Sequence, residues 1–275
     1  MKEPHLDVQP ELVERLLVRF LRSETGKFGF QKALLGLSGG IDSAVSAALC
    51  VRAFGPENVL GVMMPYRTSD PSSEGDARLV AESLGIPTRL VDISALAVGY
   101  LEAEGVEERM RRGNVMARCR MIVLYDLSVE WSGLVIGTSN KTEALLGYST
   151  QFGDAASALN PVGDLYKHQI RQLARHLELP AAVIDKPPSA DLFVGQTDED
   201  ELGFTYEEAD RLLYLLVDER YDVDQLVAAG FERDFVLEIV RRIAGNQYKR
   251  LPPIIAKLSN RTINHDFRYL RSWGR

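Results

Sequence analysis

The sequence is poor in the residues that most often announce a chemistry. Its 275 residues include only 2 cysteines, 4 histidines and 2 tryptophans. Cys50 and Cys119 have no neighbouring Cys or His at metal-ligand spacing, which removes a zinc cage as the organising feature. Both lie in helical patterns, so they read as buried structural thiols, compatible with a reducing cytoplasm. His5, His168, His176 and His265 are scattered, and no Ser-His-Asp or Cys-His nucleophile set is apparent, which argues against histidine-driven acid–base chemistry. Met1 to His5 lacks the apolar core of a signal peptide, and no apolar run is long enough to span a bilayer. The net charge of -7 denies the chain a global basic field, so nucleic acid is not the expected partner. What remains is ordinary for a soluble globular enzyme, at 45% hydrophobic and 26% charged residues.

One stretch organises the rest. Ala33 to Leu37 reads as a short buried strand, Ser38-Gly39-Gly40 as a tight turn, and Ile41, Val45, Ala48 and Leu49 as the inner face of a helix. A strand that turns through small residues into a helix presents backbone N–H groups at the positive end of the helix dipole, which suits an anion such as phosphate. Ser38 and Ser43 add hydroxyls. Asp42 would repel a phosphate unless a cation such as Mg²⁺ lay between them. The plainer alternative is a glycine turn with Asp42 as a helix-start residue. The stretch is neither a Walker A motif nor a Gly-x-Gly-x-x-Gly turn.

The pattern around it alternates. A helix is expected from Pro10 to Leu21 with Leu12, Leu16, Leu17 and Phe20 on one face. Strands are expected at Val59–Met64, Arg89–Ile93 and Leu134–Gly137, with helices over Ser72–Leu84, over Ser94–Glu130 with breaks near Gly105 and Gly113, and from about Asn140. Such alternation predicts a parallel sheet covered on both faces, with ligands at the carboxyl ends of its strands. By that rule Ser38–Ser43, Tyr66–Arg67 and Thr138–Glu143 converge on one crevice. Beyond about residue 150 helices dominate, at Tyr166–Leu177, Tyr206–Leu216 and Phe231–Ile243. Asp191 to Gly203 reads as an acidic loop, solvated or acting as a lid, and Arg261–Arg275 as a basic aromatic tail.

A second motif follows the fourth strand, Gly137-Thr138-Ser139-Asn140-Lys141-Thr142-Glu143. Asn140 with Glu143 is a capping box, which needs no function. Placed beside Asp42, however, Glu143 would complete a two-carboxylate magnesium site at a triphosphate.

The Ser-Gly-Gly-x-Asp-Ser loop resembles that of the ATP pyrophosphatases. The ordered set LSGGIDS, GNVMARCRM, GTSNKTE, LGYST and KPPSADL, spread between Leu12 and Pro253, is more specifically similar to the NAD synthetases. The resemblance implies a doubly wound, mostly parallel α/β sheet of the adenine-nucleotide alpha-hydrolase type with additional C-terminal helices. It further implies ATP-dependent amidation of deamido-NAD with Mg²⁺, in a homodimer whose deamido-NAD site lies at the subunit interface. Carried over by position, Gly36, Leu37, Ser38, Gly39, Gly40, Ile41, Asp42 and Ser43 are expected to bind ATP, together with Arg67, Thr138, Lys167 and Ser189. Asp42 and Lys167 are the expected catalytic residues, Asp42 and Glu143 the metal ligands, and Arg118 and Lys249 the deamido-NAD contacts.

The chain departs from the family pattern at Gln151, Ala158 and Tyr248, where members carry lysine, aspartate and histidine beside deamido-NAD. Met1 to Lys32 is too short for the amidase domain of some relatives, so residues 1–275 are expected to form a single domain using free ammonia, unless a separate protein supplies it. Other ATP pyrophosphatase activities, such as GMP synthesis or tRNA thiolation, remain alternatives, as does a non-catalytic nucleotide-binding module. Thiolation usually needs reactive cysteine pairs, and a simple binder has no use for Glu143 or a long helical second half.

Overall fold

The computed structural model describes residues 6–189 and 198–263. Its centre is a four-stranded sheet, β1 (Ala33–Gly36), β2 (Val59–Met63), β3 (Thr88–Leu90) and β4 (Leu134–Val135), in the order β3-β2-β1-β4. Every pairing is parallel, with Leu34 opposite Leu60 on one side and Val135 on the other. The strands are short. Backbone pairing nevertheless continues beyond their ends, with Leu37 N–H donating to Val62 O at 2.8 Å and Ile136 N–H to Leu34 O at 2.9 Å.

The twofold alternation of side chains divides the sheet between two cores. Ala33, Leu35, Val59 and Met63 join one with α1 (Pro10–Gly26), α2 (Ile41–Phe54) and α3 (Pro71–Leu84). Leu34, Leu60 and Val62 join the other with α4 (Ser94–Ala103) and α5 (Arg109–Trp131). Parallel strands buried on both faces read as continuous apolar runs, as these do. The chain builds outward from β1 through β2 to β3, then returns across β1 to lay down β4. The order therefore reverses between β1 and β4, the position at which open α/β sheets bind ligands.

The second half adds α6 (Lys141–Leu146), α7 (Lys167–His176), α8 (Ala181–Ile184), α9 (Asp198–Leu202), α10 (Tyr206–Leu213), α11 (Val223–Ala228) and α12 (Arg233–Gly245). A third core, with Tyr206, Leu212, Leu226, Val236 and Ile239 fully buried, ties α6 to α10, α11 and α12. α7 and α8 instead close the first core through Ile170, Leu173 and Val183.

Three expectations change. α1 runs on to Gly26 and buries Leu21 and Thr25, with Val13, Leu17 and Val18 packed beside them. The four-turn row at 13, 17, 21 and 25 sets the helix rotation, so Leu12, Leu16 and Phe20 remain 37%, 55% and 37% exposed. Gly113 interrupts nothing: it lies buried within α5, and the break falls at residues 104–108, where Gly105 takes φ 56°. Part of the expected acidic loop is helix α9, while residues 190–197 and the tail from 264 onward lie outside the described residues.

Candidate active site at the carboxyl ends of the strands

Two elements of the site begin where strands stop, and the start of a later helix supplies the third. After β1 the chain turns at Gly39, whose φ of 79° belongs to the left-handed region. A Cβ there would lie 2.4 Å from the carbonyl oxygen of Ser73 and 2.9 Å from Asp76 Cβ, so glycine alone allows the loop to back onto α3. The turn is braced internally. Ser38 N–H donates to Ser43 Oγ at 3.3 Å, Ser43 Oγ to Gly40 O at 2.9 Å, and Gly40 N–H to Ser38 Oγ at 3.2 Å. Gly40 starts α2 without a side-chain cap, which leaves the positive end of that helix open to an anion.

The β4 side supplies the second element. Asn140, completely buried, caps α6 by accepting from Glu143 N–H at 2.9 Å. Its amide nitrogen donates at the same time to Asp42 Oδ1 at 2.9 Å and to Glu143 Oε1 at 2.8 Å. The capping residue therefore gathers the two carboxylates expected to hold a metal. Aspartate, an equally good cap, could not do this, because it has no donor.

Lys167 is the third element and opens α7. Its ammonium lies 2.5 Å from Asp42 Oδ2 and 3.5 Å from Glu143 Oε1, with a side chain 3% exposed, and packs 4.9 Å from the Tyr206 ring centroid. Burial pushes the lysine pKa down, but Asp42 and Glu143 reverse this and hold it raised. Burial first, then the charge of Asp42, raises the carboxyl of Glu143, with Lys167 opposing both. Two half-buried carboxylates beside one buried cation leave the cluster short of positive charge. A divalent cation would offset that shortage.

These residues line one wall of a cavity of about 1160 Å³ that contains Gly36, Leu37, Ser38, Gly40, Ile41, Asp42, Ser43, Thr138, Glu143, Lys167 and Ser189, and extends to Arg118 and Lys249. The residues expected at ATP and at deamido-NAD thus share one continuous space. Gly39 is the exception within its loop, being turned against α3. At the far end Arg118 donates to Gln151 O at 3.2 Å, and Lys249 Nζ donates to Gly147 O at 2.7 Å and Ser149 O at 2.8 Å. Gly147, at φ 70°, permits the close approach of Asn246 that carries this lysine inward. Gln151 and Tyr248 also line the cavity, whereas Ala158 does not.

Arg67 is not brought to this site. β2 ends at Met63, and Met64 and Pro65 line the cavity. Tyr66 then turns into the core, where its hydroxyl accepts from Arg112 Nη2 at 3.3 Å. That turn aims Arg67 outward to Glu102, 3.5 Å away, and the expected ATP contact is withdrawn.

Sequence reasoning also missed residues. Asn140 passed as a cap. Asp198 was assigned to a loop, yet it is 4% exposed, lines the cavity, and accepts from Tyr206 Oη at 3.0 Å and Tyr148 Oη at 3.1 Å. The two tyrosines gave no motif to flag it. Asp210, fully buried, accepts from Thr142 Oγ1 at 2.5 Å and His168 N–H at 2.8 Å, and so joins the starts of α6 and α7.

An open α/β sheet with an uncapped helix start, paired carboxylates and a buried lysine at its switch point defines a nucleotide-phosphate-handling protein. The family model described as NAD synthase matches residues 13–253. The chain belongs to the NAD synthase family. It is 55% identical over 270 residues to an NH(3)-dependent NAD(+) synthetase of Trichlorobacter lovleyi, covering 98% of this chain and 99% of that one. Among solved structures, it resembles the NH3-dependent NAD synthetase of Campylobacter jejuni in complex with the nitrate ion, at TM-score 0.77 and 32% identity, covering 91% of this chain and 100% of that one. It also resembles an NMN synthetase from Francisella tularensis, at TM-score 0.81 and 31% identity, covering 92% of this chain and 100% of that one.

Proposed function

We propose that the protein is a ligase that amidates deamido-NAD with ammonia at the expense of ATP, giving NAD, AMP and pyrophosphate. The observation that carries the reading is the meeting of Asp42, Glu143 and Lys167 beside the open start of α2, in a chain of this family.

A carboxylate does not react with ammonia, because hydroxide is too poor a leaving group. Attack of the nicotinate carboxylate oxygen on the α-phosphorus of ATP breaks that phosphorus's bond to the bridging oxygen, whose electron pair leaves with pyrophosphate. Ammonia nitrogen then bonds to the acyl carbon and sheds a proton, and AMP departs. Little of this needs a protein nucleophile. The protein has to align two anionic nucleotides and hold positive charge where negative charge develops. The amides after Ser38 orient phosphate oxygens, and Lys167, fixed by Asp42 and Glu143, holds a permanent cation beside them. Arg118 and Lys249 stand at the other end of the cavity, where the dinucleotide would lie.

The residues present fit Mg²⁺. Two carboxylates are drawn together by one amide, and among the described residues no set of three or more His, Cys, Asp or Glu side chains forms a fuller cage. A pair of carboxylates completed by phosphate oxygens and water is the donor set magnesium favours. Bound there, the ion would neutralise the leaving pyrophosphate.

A homodimer with its substrate site near the interface is supported by α5. Arg118 is followed along one face by Ile122, Tyr125 and Val129, which are 55%, 40% and 80% exposed. Free ammonia as nitrogen donor, a single functional unit in residues 1–275 and a cytoplasmic setting complete the reading. Among the described residues no helix is long and apolar enough to cross a membrane, and Cys50 and Cys119 are unpaired.

The test is a chromatographic assay of purified protein with deamido-NAD, ATP, Mg²⁺ and ammonium chloride, following NAD and AMP together. Stoichiometric formation of both, lost on omission of any component, is the expected result. AMP without NAD would mean that the acceptor is wrong. The similarity to an NMN synthetase makes the deamido mononucleotide the control acceptor.

A further inference from the structure

A second part of the cavity wall presents a problem of charge. It is built from residues 69–74 of the turn into α3 and from Lys186, Pro187, Pro188 and Ser189 after α8. Asp70 and Glu74 line it, and Asp76 stands immediately behind, yet it flanks the loop that would receive a triphosphate. Among the described lining residues of this wall, Lys186 is the one cation. We propose that Lys186 is a phosphate-binding residue of the nucleotide cavity, which takes hold of the pyrophosphate end of ATP and of the pyrophosphate released from it. The inference rests on the ATP-cleaving reading given above.

Three observations place the lysine for this task. Its ammonium pairs with Asp76 Oδ2 at 2.6 Å and donates to Ser73 Oγ at 3.3 Å. Gly39 of the phosphate loop backs onto the same two residues, since a Cβ added there would meet Ser73 O and Asp76 Cβ. Lys186 is thus anchored directly behind the turn whose front is open to an anion. Secondly, an ammonium has three donors, and two partners leave one for a ligand oxygen. Thirdly, the pair is accessible: the lysine and aspartate side chains are 24% and 22% exposed, unlike the 3% of Lys167. A pair that solvent still reaches is held less firmly than the enclosed Lys167 cluster, so a polyanionic ligand can compete with Asp76 for the cation.

This assigns the two lysines different work. Lys167 is locked between Asp42 and Glu143, on the side of the β4 loop. Lys186 comes from the side of α3 and is held by a carboxylate that serves as a resting place. Together with the amides of the loop, they would both offer positive charge to the departing pyrophosphate.

The experiment compares Lys186→Gln, Lys186→Arg and Asp76→Asn with the wild type in steady-state kinetics, with inorganic pyrophosphate as product inhibitor. Losing one charge-assisted contact should weaken pyrophosphate inhibition about ten-fold or more and raise the KM for ATP similarly. The KM for deamido-NAD should stay near the wild-type value, and Lys186→Arg should recover most of the effect. Asp76→Asn is the deciding control. It breaks the same ion pair but leaves the ammonium, so inhibition should remain at wild-type strength or become tighter. If Asp76→Asn matches Lys186→Gln, or if Lys186→Gln is inhibited like the wild type, the proposal is overturned and the pair only fastens a loop to α3. Failure of the wild type to form AMP and NAD would instead refute the reading beneath it. Calorimetric titration of wild type and Lys186→Gln with magnesium pyrophosphate then tests the lysine alone, equal affinities counting against it.

Discussion

Lys167 Nζ and Asp42 Oδ2 are 2.5 Å apart although 125 residues separate them in the chain. The contact links the first turn of α2 to the first turn of α7, and the second carboxylate, Glu143, stands 3.5 Å from the same ammonium. Neither helix places its residue alone. The sheet sets α2, the capping box sets α6, and the third core presses Tyr206 against the lysine. Charge at the site is therefore fixed by packing before any ligand arrives, which is the arrangement electrostatic catalysis requires.

Substitution of Asp42 by alanine tests that arrangement. It removes a proposed metal ligand and leaves Lys167 with one carboxylate in a buried place, so activity should fall by about a hundred-fold or more. Stability should also fall, by roughly 1–3 kcal/mol, because a buried charge loses its better partner. Glu143→Ala should lose activity to a similar degree. Near-normal turnover in either variant, measured with saturating Mg²⁺, would remove both carboxylates from the proposed site.

Asn140 gives a sharper comparison, because its cap and its second function separate. Asn140→Asp keeps a good N-cap, whereas Asn140→Ala loses about 0.5–2 kcal/mol of helix capping. The aspartate nevertheless puts a third carboxylate where an amide now bridges two. At neutral pH the repulsion of three adjoining carboxylates at a fully buried position outweighs the retained cap, so Asn140→Asp should be the less stable variant as well as the more altered in its magnesium dependence. Thermal unfolding and magnesium titrations of activity decide the matter. Identical magnesium curves for wild type and Asn140→Asp would reduce Asn140 to a cap.

Asp210 provides a signature in pH. Burial raises its carboxyl from 3.8 to about 6, with the Thr142 hydroxyl and the His168 amide opposing the rise. The folded state thus binds this proton more tightly than the unfolded chain does. Its stabilising contribution is full below about pH 4 and is lost as pH rises through about 6. Relative to Asp210→Asn, which cannot titrate, the wild type should lose roughly 3 kcal/mol between those limits. Denaturant unfolding of both proteins at intervals from pH 4 to pH 7 measures this difference. Parallel stability curves would show that the carboxyl titrates normally.

Local signals account for what the sequence revealed. The Ser38–Ser43 turn, the β1–α2 unit and the Asn140–Glu143 capping box are each written within a few consecutive residues, and each appears where its pattern places it. The convergence of Asp42 and Glu143 followed from strand topology alone. Arg67 failed because the same rule says which loops reach a crevice but not which side chains in a loop face it; Tyr66 took the buried position and turned its neighbour out. The rotation of α1 depended on its last turn, where Thr25 is buried although its type suggests exposure. The contacts of Asp198, Asp210 and Lys186 escaped notice for a different reason, even though Lys186 opens the quoted KPPSADL motif. Apart from Tyr206, eight residues beyond Asp198, the partners that place them lie between 42 and 110 residues away, outside any local window of sequence.

The exposed face of α5 carries the remaining expectation. Ile122, Tyr125 and Val129 follow Arg118 along one stripe, with Arg118 lining the cavity and the others outside it. If a second copy covers this stripe, ordering of Arg118 and association of subunits are coupled. Ile122→Lys combined with Val129→Glu should then convert a dimer into a monomer in sedimentation velocity. Each residue is solvent-exposed in the single chain, so unfolding of the isolated subunit should change by no more than about 0.5 kcal/mol. The KM for deamido-NAD should rise by about ten-fold, and the KM for ATP, whose site is built from one chain, should change little. A double variant that sediments like the wild type would place the interface elsewhere. A monomer with unchanged KM for deamido-NAD would separate Arg118 from the interface and confine the substrate site to one subunit.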